Sequence, residues 1–408
     1  MKEIGRREFI KTGTWAGLGL GLGLGALGSA AAASVPVEPQ VRRYSPLGRT
    51  GMRISDISFG ADRLSTGHED LVAHACDLGI NYFDTAETYR DGDSETALGH
   101  ALHGKRHRVF IASKTLAWPD TSMQAIMRAL EGSLRRLQTD YVDVYFNHAV
   151  NDLERLKNPE WYTFVEAAKR QGKIRFSGIS GHAGHLGECL DYAIDSGNFD
   201  VILCAYNFGQ DPLFYQRFLG GFDVIARQPD LPRILKKAQH RGIGVIVMKT
   251  LMGARLNDMR PYERGGATYA QAAFRWVLSN PHVDGLIVSM ITREAIDEFV
   301  GASGFHSVHA EDLPLLQRYA RLNGASYCRH ACNSCEDSCP VGVAIADVMR
   351  TRMYAIDYRD LRMARAEYAM IKHNAAACLS CSARPCAAAC PHGLRIAELT
   401  APTHRLLA

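Results

Sequence analysis

Four ionisable side chains stand at the ends of short apolar runs. Asp84 closes INYFD, Lys114 closes VFIASK, His148 follows YVDVYFN, and Tyr89 lies just past Asp84. A carboxylate, an ammonium, an imidazole and a phenol gathered in one place can move a proton onto an oxygen and hold the charge that develops there. Each alone has a plainer explanation: Tyr89 as a loop residue, His148 as a satisfied core histidine, Asp84 and Lys114 as a structural ion pair. Their shared kind of position asks for a scaffold that brings strand ends together.

A second constellation lies near the C-terminus. Of eleven cysteines, Cys76, Cys189 and Cys204 sit in apolar context and read as small core residues. The other eight form two runs, Cys328, Cys332, Cys335 and Cys339 before Pro340, and Cys378, Cys381, Cys386 and Cys390 before Pro391. Both end C-x3-C-P and resemble a bacterial two-cluster ferredoxin, which implies two 4Fe-4S clusters with Cys339 and Cys390 each crossing to the other cluster. The spacing departs from that pattern by one extra residue after Cys328 and two after Cys381, which leaves the ligand partition open. Structural zinc and disulfides are the competing readings. Four cysteines compressed into each short run favour clusters over paired zinc knuckles.

The elements that must position these groups are legible as an alternation of β-branched runs and helical periods. Strands are predicted over 56–60, 80–84, 109–114, 141–147, 174–180, 201–206, 244–249 and 285–289, with helical spacing between them, as in TSMQAIMRALEGSLRRLQ. Eight such units predict an α/β fold, a parallel (β/α)8 TIM barrel over residues 42–305, whose chemistry belongs at the carboxyl ends of its strands. The Gly-Arg-Thr-Gly turn at 48–51 predicts a hairpin closing the barrel floor. Residues 306–408 form a small, mainly α, ferredoxin-like domain, helical over 342–371, which is placed to cover the barrel mouth.

GRTGMRIS, INYFDTAETY, FIASK, YVDVYFNH and KIRFSGIS together closely resemble the aldo-keto reductases. The resemblance covers nearly the whole barrel and implies a catalytic tetrad of Asp84, Tyr89, Lys114 and His148. Tyr89 would give a proton to a carbonyl, its pKa lowered by Lys114; Asp84 would hold Lys114, and His148 would orient the carbonyl oxygen. Trp118 would line the substrate pocket. For a nicotinamide cofactor, NAD(P)H, the resemblance implies contacts from Ser180, Lys249, Leu251 and Gly253, with Thr292 and Arg293 at a helix start suited to phosphate. It is weakened where Gly181 replaces an Asn, Leu203 a Gln and Met248 a Tyr, and where Ser289 and Ala295 stand at positions that are basic in NADPH-preferring members.

GRREFIK at residues 5–11 matches the twin-arginine export pattern, with Gly5 where Ser or Thr is usual. The uncharged stretch from Thr12 to Val37 ends in small residues, so residues 1–33 are predicted to be a signal peptide and 34–41 a linker. The stretch is also long enough for an uncleaved membrane anchor. A G-x-G-x-x-G match inside it follows no strand and is set aside. Export by this route, into the periplasm, fits a protein whose clusters are installed before it leaves the cytoplasm. The formal charge of +4 and the absence of a basic tract give no sign of nucleic acid. The expected partners are a small carbonyl or alcohol, a redox protein, and transiently the export machinery.

Overall fold

The computed structural model describes residues 38–210, 230–253, 258–264, 267–324 and 326–408. The export pattern and the first half of the linker lie outside the described residues. A hairpin of β1 (Tyr44–Pro46) and β2 (Arg53–Ser55) precedes eight parallel strands: β3 (Ile57–Gly60), β4 (Tyr82–Asp84), β5 (Phe110–Thr115), β6 (Val142–Asn147), β7 (Ile174–Gly181), β8 (Val201–Ala205), β9 (Gly244–Met248) and β10 (Gly285–Ser289). They close in sequence order, β10 pairing with β3 through Leu286↔Ile57 and Val288↔Phe59. Every predicted strand is present, shifted by two residues at most.

Alternation of side chains along each strand divides the core in two. Tyr82, Ala112, Val144, Phe146, Leu203 and Ile246 fill the barrel interior, and Leu47, Met52 and Ile54 from the hairpin complete that packing from below. The turn holds this floor in place through Gly48. Its φ is +47°, and a Cβ there would collide with the backbone of Gly242 and Gly244. Outward residues such as Phe59, Phe83, Ile111 and Tyr145 meet the helices. The helix Met123–Leu137 shows the local logic. Ser122 caps it by accepting from Ala125 N, Ile126, Leu130, Leu134 and Leu137 form the buried stripe, and Gln138 ends it in the left-handed region. Such a cap contributes about 1 kcal/mol.

The predicted boundary at 305/306 does not separate two compact bodies: Glu38–Ala408 is one unit. The helix Asp312–Asn323 packs on the barrel helix Tyr269–Leu278 through a buried Arg275–Asp312 ion pair of 2.5 Å. Beyond it come the helices Ile345–Ile356, Leu361–Ala369 and Ile396–Leu407, with short 3-10 turns around the cysteines. The helical stretch predicted over 342–371 is thus two helices, broken near Arg359, whose φ is +54°. No strand occurs among the described residues of this tail.

Candidate active site

Strands β4, β5 and β6 lie side by side, so their carboxyl ends deliver Asp84, Lys114 and His148 to neighbouring points of one mouth. Lys114 Nζ donates to Asp84 Oδ1 at 2.5 Å and to the Thr85 carbonyl at 2.6 Å. Its third donor direction faces the Tyr89 hydroxyl at 3.5 Å. The Tyr89 and His148 rings meet edge to face, 5.6 Å between centroids. All four predicted catalytic side chains therefore converge. Asp84 and Lys114 are each 1% exposed, and Asp84 Oδ2 and His148 Nδ1 have no hydrogen-bond partner.

The electrostatics correct one expectation. The Tyr89 phenol is held well above its ordinary pKa of 10, first by burial and then by the Asp84, Asp62 and Glu367 carboxylates. The Lys114 ammonium, 3.5 Å away, does not offset burial and these carboxylates. Burial pushes the Lys114 ammonium down and the Asp84 carboxyl up to about 6. Burial, then Lys114, Arg155 and Lys249, hold His148 well below 6.5, so its imidazole is neutral at pH 7. Tyr89 is consequently a protonated hydrogen-bond donor at neutral pH.

Arg155, absent from the residues predicted for the site, braces the loop behind His148. Its guanidinium, 3% exposed, donates to the carbonyls of Ala117, His148 and Ala149 and to Asn147 Oδ1, all within 2.9 Å. It also stacks 4.5 Å over Trp118. Trp118 lines a cavity of about 540 Å³ bounded on one side by barrel loops and on the other by Asp347, Arg350 and Glu367 of the tail.

A second cavity of about 340 Å³ lies beside Tyr89, toward β9 and β10. Lys249, Leu251 and Gly253 form one wall, and Tyr358 and Met363 of the tail contribute another. The tail thus reaches the barrel mouth, as the sequence suggested. Arg63 also lines this cavity, and Asp62 accepts from Ser289 Oγ at 2.5 Å. Lys249 Nζ sits 4.8 Å over the Tyr354 ring and 5.6 Å over Tyr358. Thr292 and Arg293 are not in the lining. Thr292 caps its helix, and Arg293 pairs with Asp70 at 3.1 Å. Ser180 Oγ accepts from Ala149 N at 3.0 Å and so positions the loop after β6. A Cβ at Gly181 would lie 2.9 Å from the Val150 carbonyl and 2.8 Å from Leu186, which leaves no room for an Asn. Leu203 is buried in the barrel interior.

The tail cysteines of the two runs act on one another. Burial first, then Cys328, Cys332 and Cys390 among its neighbours, raise the Cys335 thiol to about 12. Burial, then Cys378, Cys339 and Cys381, raise that of Cys386. The last cysteine of each run thus lies in the electrostatic reach of the other run. No group of three or more described His, Cys, Asp or Glu side chains could hold a single metal ion. Of the three cysteines outside the runs, Cys189 and Cys204 are buried and Cys76 is half-buried.

The aldo/keto reductase family profile matches residues 57–263. L-galactose dehydrogenase of Arabidopsis thaliana is 26% identical over 292 residues, covering 63% of this chain and 86% of the relative. Methylglyoxal reductase YeaE of Escherichia coli is 41% identical over 117 residues, 29% of this chain and 37% of the relative. An aldo-keto reductase structure from Pseudomonas aeruginosa superposes with a TM-score of 0.52 at 27% identity, covering 66% of this chain and 98% of that one. The match spans half the chain and the tetrad-bearing strands, so this protein belongs to the aldo/keto reductase family and is an oxidoreductase of that type.

Proposed function

We propose that the protein is an exported enzyme that interconverts a carbonyl and an alcohol, with Tyr89 as proton donor and two 4Fe-4S clusters as electron carriers. The observation that carries this reading is the convergence of Tyr89, Lys114, Asp84 and His148 at one barrel mouth. A carbonyl oxygen set between the Tyr89 hydroxyl and the neutral His148 imidazole would receive hydrogen bonds from both. As negative charge grows on that oxygen, the Tyr89 proton transfers to it. The phenolate left behind faces Lys114 in a dry site, where an opposite charge is worth most. Arg155 and Ser180 hold the His148 loop in register during this transfer.

Taken as two crossed quartets, these cysteines suit two cubane clusters, Cys328, Cys332, Cys335 and Cys390 holding one and Cys339, Cys378, Cys381 and Cys386 the other. When bound, such clusters supply single electrons, so reducing one carbonyl would draw on two transfers. A nicotinamide dinucleotide fits less well. Arg63 and Lys249 suit its phosphates and the Ser180 hydroxyl can still donate to the carboxamide, but Leu203 offers no polar group and Gly181 has no room for one. No step is therefore routed through it. The same mismatch favours a second reading, an electron-carrying subunit that keeps the barrel as scaffold.

The export pattern supports a periplasmic location, or an anchored one if the N-terminal segment is not cleaved. Anaerobic purification, with iron and sulfide counting, comes first. The dithionite-reduced protein is then mixed with a panel of aldehydes and ketones, with and without NADPH or NADH. Reoxidation of the brown clusters with alcohol formation, lost in Tyr89→Phe, is the expected result. Clusters indifferent to every carbonyl, alongside silence with both nucleotides, would establish the carrier reading instead.

A further inference from the structure

The two quartets sit in unlike surroundings. In the first, Cys332 and Cys335 are each 8% exposed, and the loop that carries them is pressed onto the barrel. Ala331 N donates to the Ala183 carbonyl at 3.0 Å, and His330 Nδ1 lies 2.7 Å from the His182 carbonyl oxygen. Arg350 spans the seam. Its Nε donates to that same His182 carbonyl at 3.0 Å, and its other arm to the Cys332 carbonyl at 3.2 Å. The Tyr354 hydroxyl reaches the His182 ring at 3.1 Å. His182 follows Gly181 at the carboxyl end of β7, so this dry wall runs from Cys332 to the mouth that holds His148.

The second quartet faces outward. Cys381 is exposed, and so are the residues from Leu379 to Pro385 around it. Leu379 is 47% exposed, and Val341, just after Cys339, is 62% exposed. Between Glu367 and Glu398 the chain carries no acidic residue, while Lys372, Arg384 and Arg395 are all exposed. An exposed segment with basic and no acidic side chains is the complement of an acidic protein surface, and such charges set association rates more than affinity.

We propose that the loop from Cys378 to Cys386 is the docking site of an acidic one-electron carrier protein, and that the Cys332–Arg350–His182 wall passes its electrons to the barrel mouth. The assignment rests on the cluster reading above and adds a direction to it. Each carbonyl reduced takes two electrons from two successive carriers, each carrier being oxidised by one. Of the two protons consumed, Tyr89 supplies one and water the other, so that C=O becomes CH–OH. The outward quartet is the entry and the inward quartet the delivery point.

The probe is a reduced, acidic plant-type [2Fe–2S] ferredoxin, mixed anaerobically with the full holoprotein in a stopped-flow instrument. Its oxidation should be fast and should slow steeply as salt screens the interface. Lys372→Glu/Arg384→Glu should lower the bimolecular rate at least tenfold, with iron content and both cluster EPR signals unchanged. In Cys381→Ser, delivery from ferredoxin should stop, while dithionite still reduces the remaining cluster and supports carbonyl reduction. An unchanged rate in the charge-reversed variant, or a basic haem carrier reacting as fast as ferredoxin, would overturn the proposal. A dithionite-reduced protein inert to carbonyls removes the catalytic reading and leaves the docking result standing; catalysis with dithionite but none with ferredoxin removes the docking site alone.

Discussion

The barrel mouth has two halves that match the family resemblance to different degrees. Around β4, β5 and β6, each group that the family resemblance implies is present and tied in place: Lys114 to Asp84, Tyr89 beside both, His148 backed by Arg155. Around β7 to β10, the expected polar contacts are missing or already committed. Leu203 is core, Ser180 braces a loop, Ser289 answers Asp62, and Arg293 answers Asp70. The two halves thus differ in how closely they keep the contacts the resemblance implies, and Tyr358 and Met363 of the tail line the second.

The comparison breaks most directly at Tyr89. Tyr89→Phe removes the proton donor and should lower turnover by roughly 10²–10⁴-fold, with the melting temperature unchanged. An equal loss of stability would mean that the phenol is structural. Next comes the buried pair. Lys114→Met leaves Asp84 without its cation and should cost about 3–5 kcal/mol in urea denaturation. Adding Asp84→Asn should restore most of that stability and none of the activity.

The altered half is sharpened by putting the missing residue back. Gly181→Asn places a Cβ against the Val150 carbonyl and Leu186. It should cost about 1–3 kcal/mol through overpacking and give no gain in NADPH affinity; tighter nucleotide binding would show that half to be merely one residue from its old function.

The smallest effect concerns the seam between barrel and tail. His185 contacts Glu336 at 3.1 Å and also Glu188, and these carboxylates raise its pKa to about 9, Glu336 first. A histidine raised in the folded state contributes stability that is complete below its unfolded value of about 6.5 and is lost as pH rises through about 9. The pair is partly solvated and screened, so the shift in melting temperature between pH 6 and pH 9 should be slight, should shrink in Glu336→Gln, and should vanish only when Glu188→Gln is added.

The barrel was readable because its signal repeats. β-Branched runs alternate with amphipathic stretches eight times, and strand-end polar residues then single out Asp84, Lys114 and His148. The two cysteine runs stand out in the sequence because C-x3-C-P is local. The lowered Tyr89 pKa was a misreading of balance: the sequence names Lys114 as a neighbour but cannot show the burial of the phenol, or that Asp84, Asp62 and Glu367 all act on it. Arg155 left no trace because most of its partners are backbone carbonyls, which any sequence supplies, and His182 because its partners, His330, Arg350 and Tyr354, lie 148 residues or more away along the chain. Tyr358 and Met363 sit in a helical segment that looks like packing until the tail is seen against the mouth.

The loop that carries Tyr89 has a cost of its own. Arg90 and Asp91, directly after the tyrosine, both have φ near +55°, a backbone region that side-chain-bearing residues avoid by about 1–2 kcal/mol apiece. Asp91 is tethered from outside the barrel, by Arg362 of the tail. That pair is exposed and contributes at most about 1 kcal/mol, so most of the cost of the bend is met within the barrel, and the helix that bears Arg362 only trims the freedom of the loop after the tyrosine.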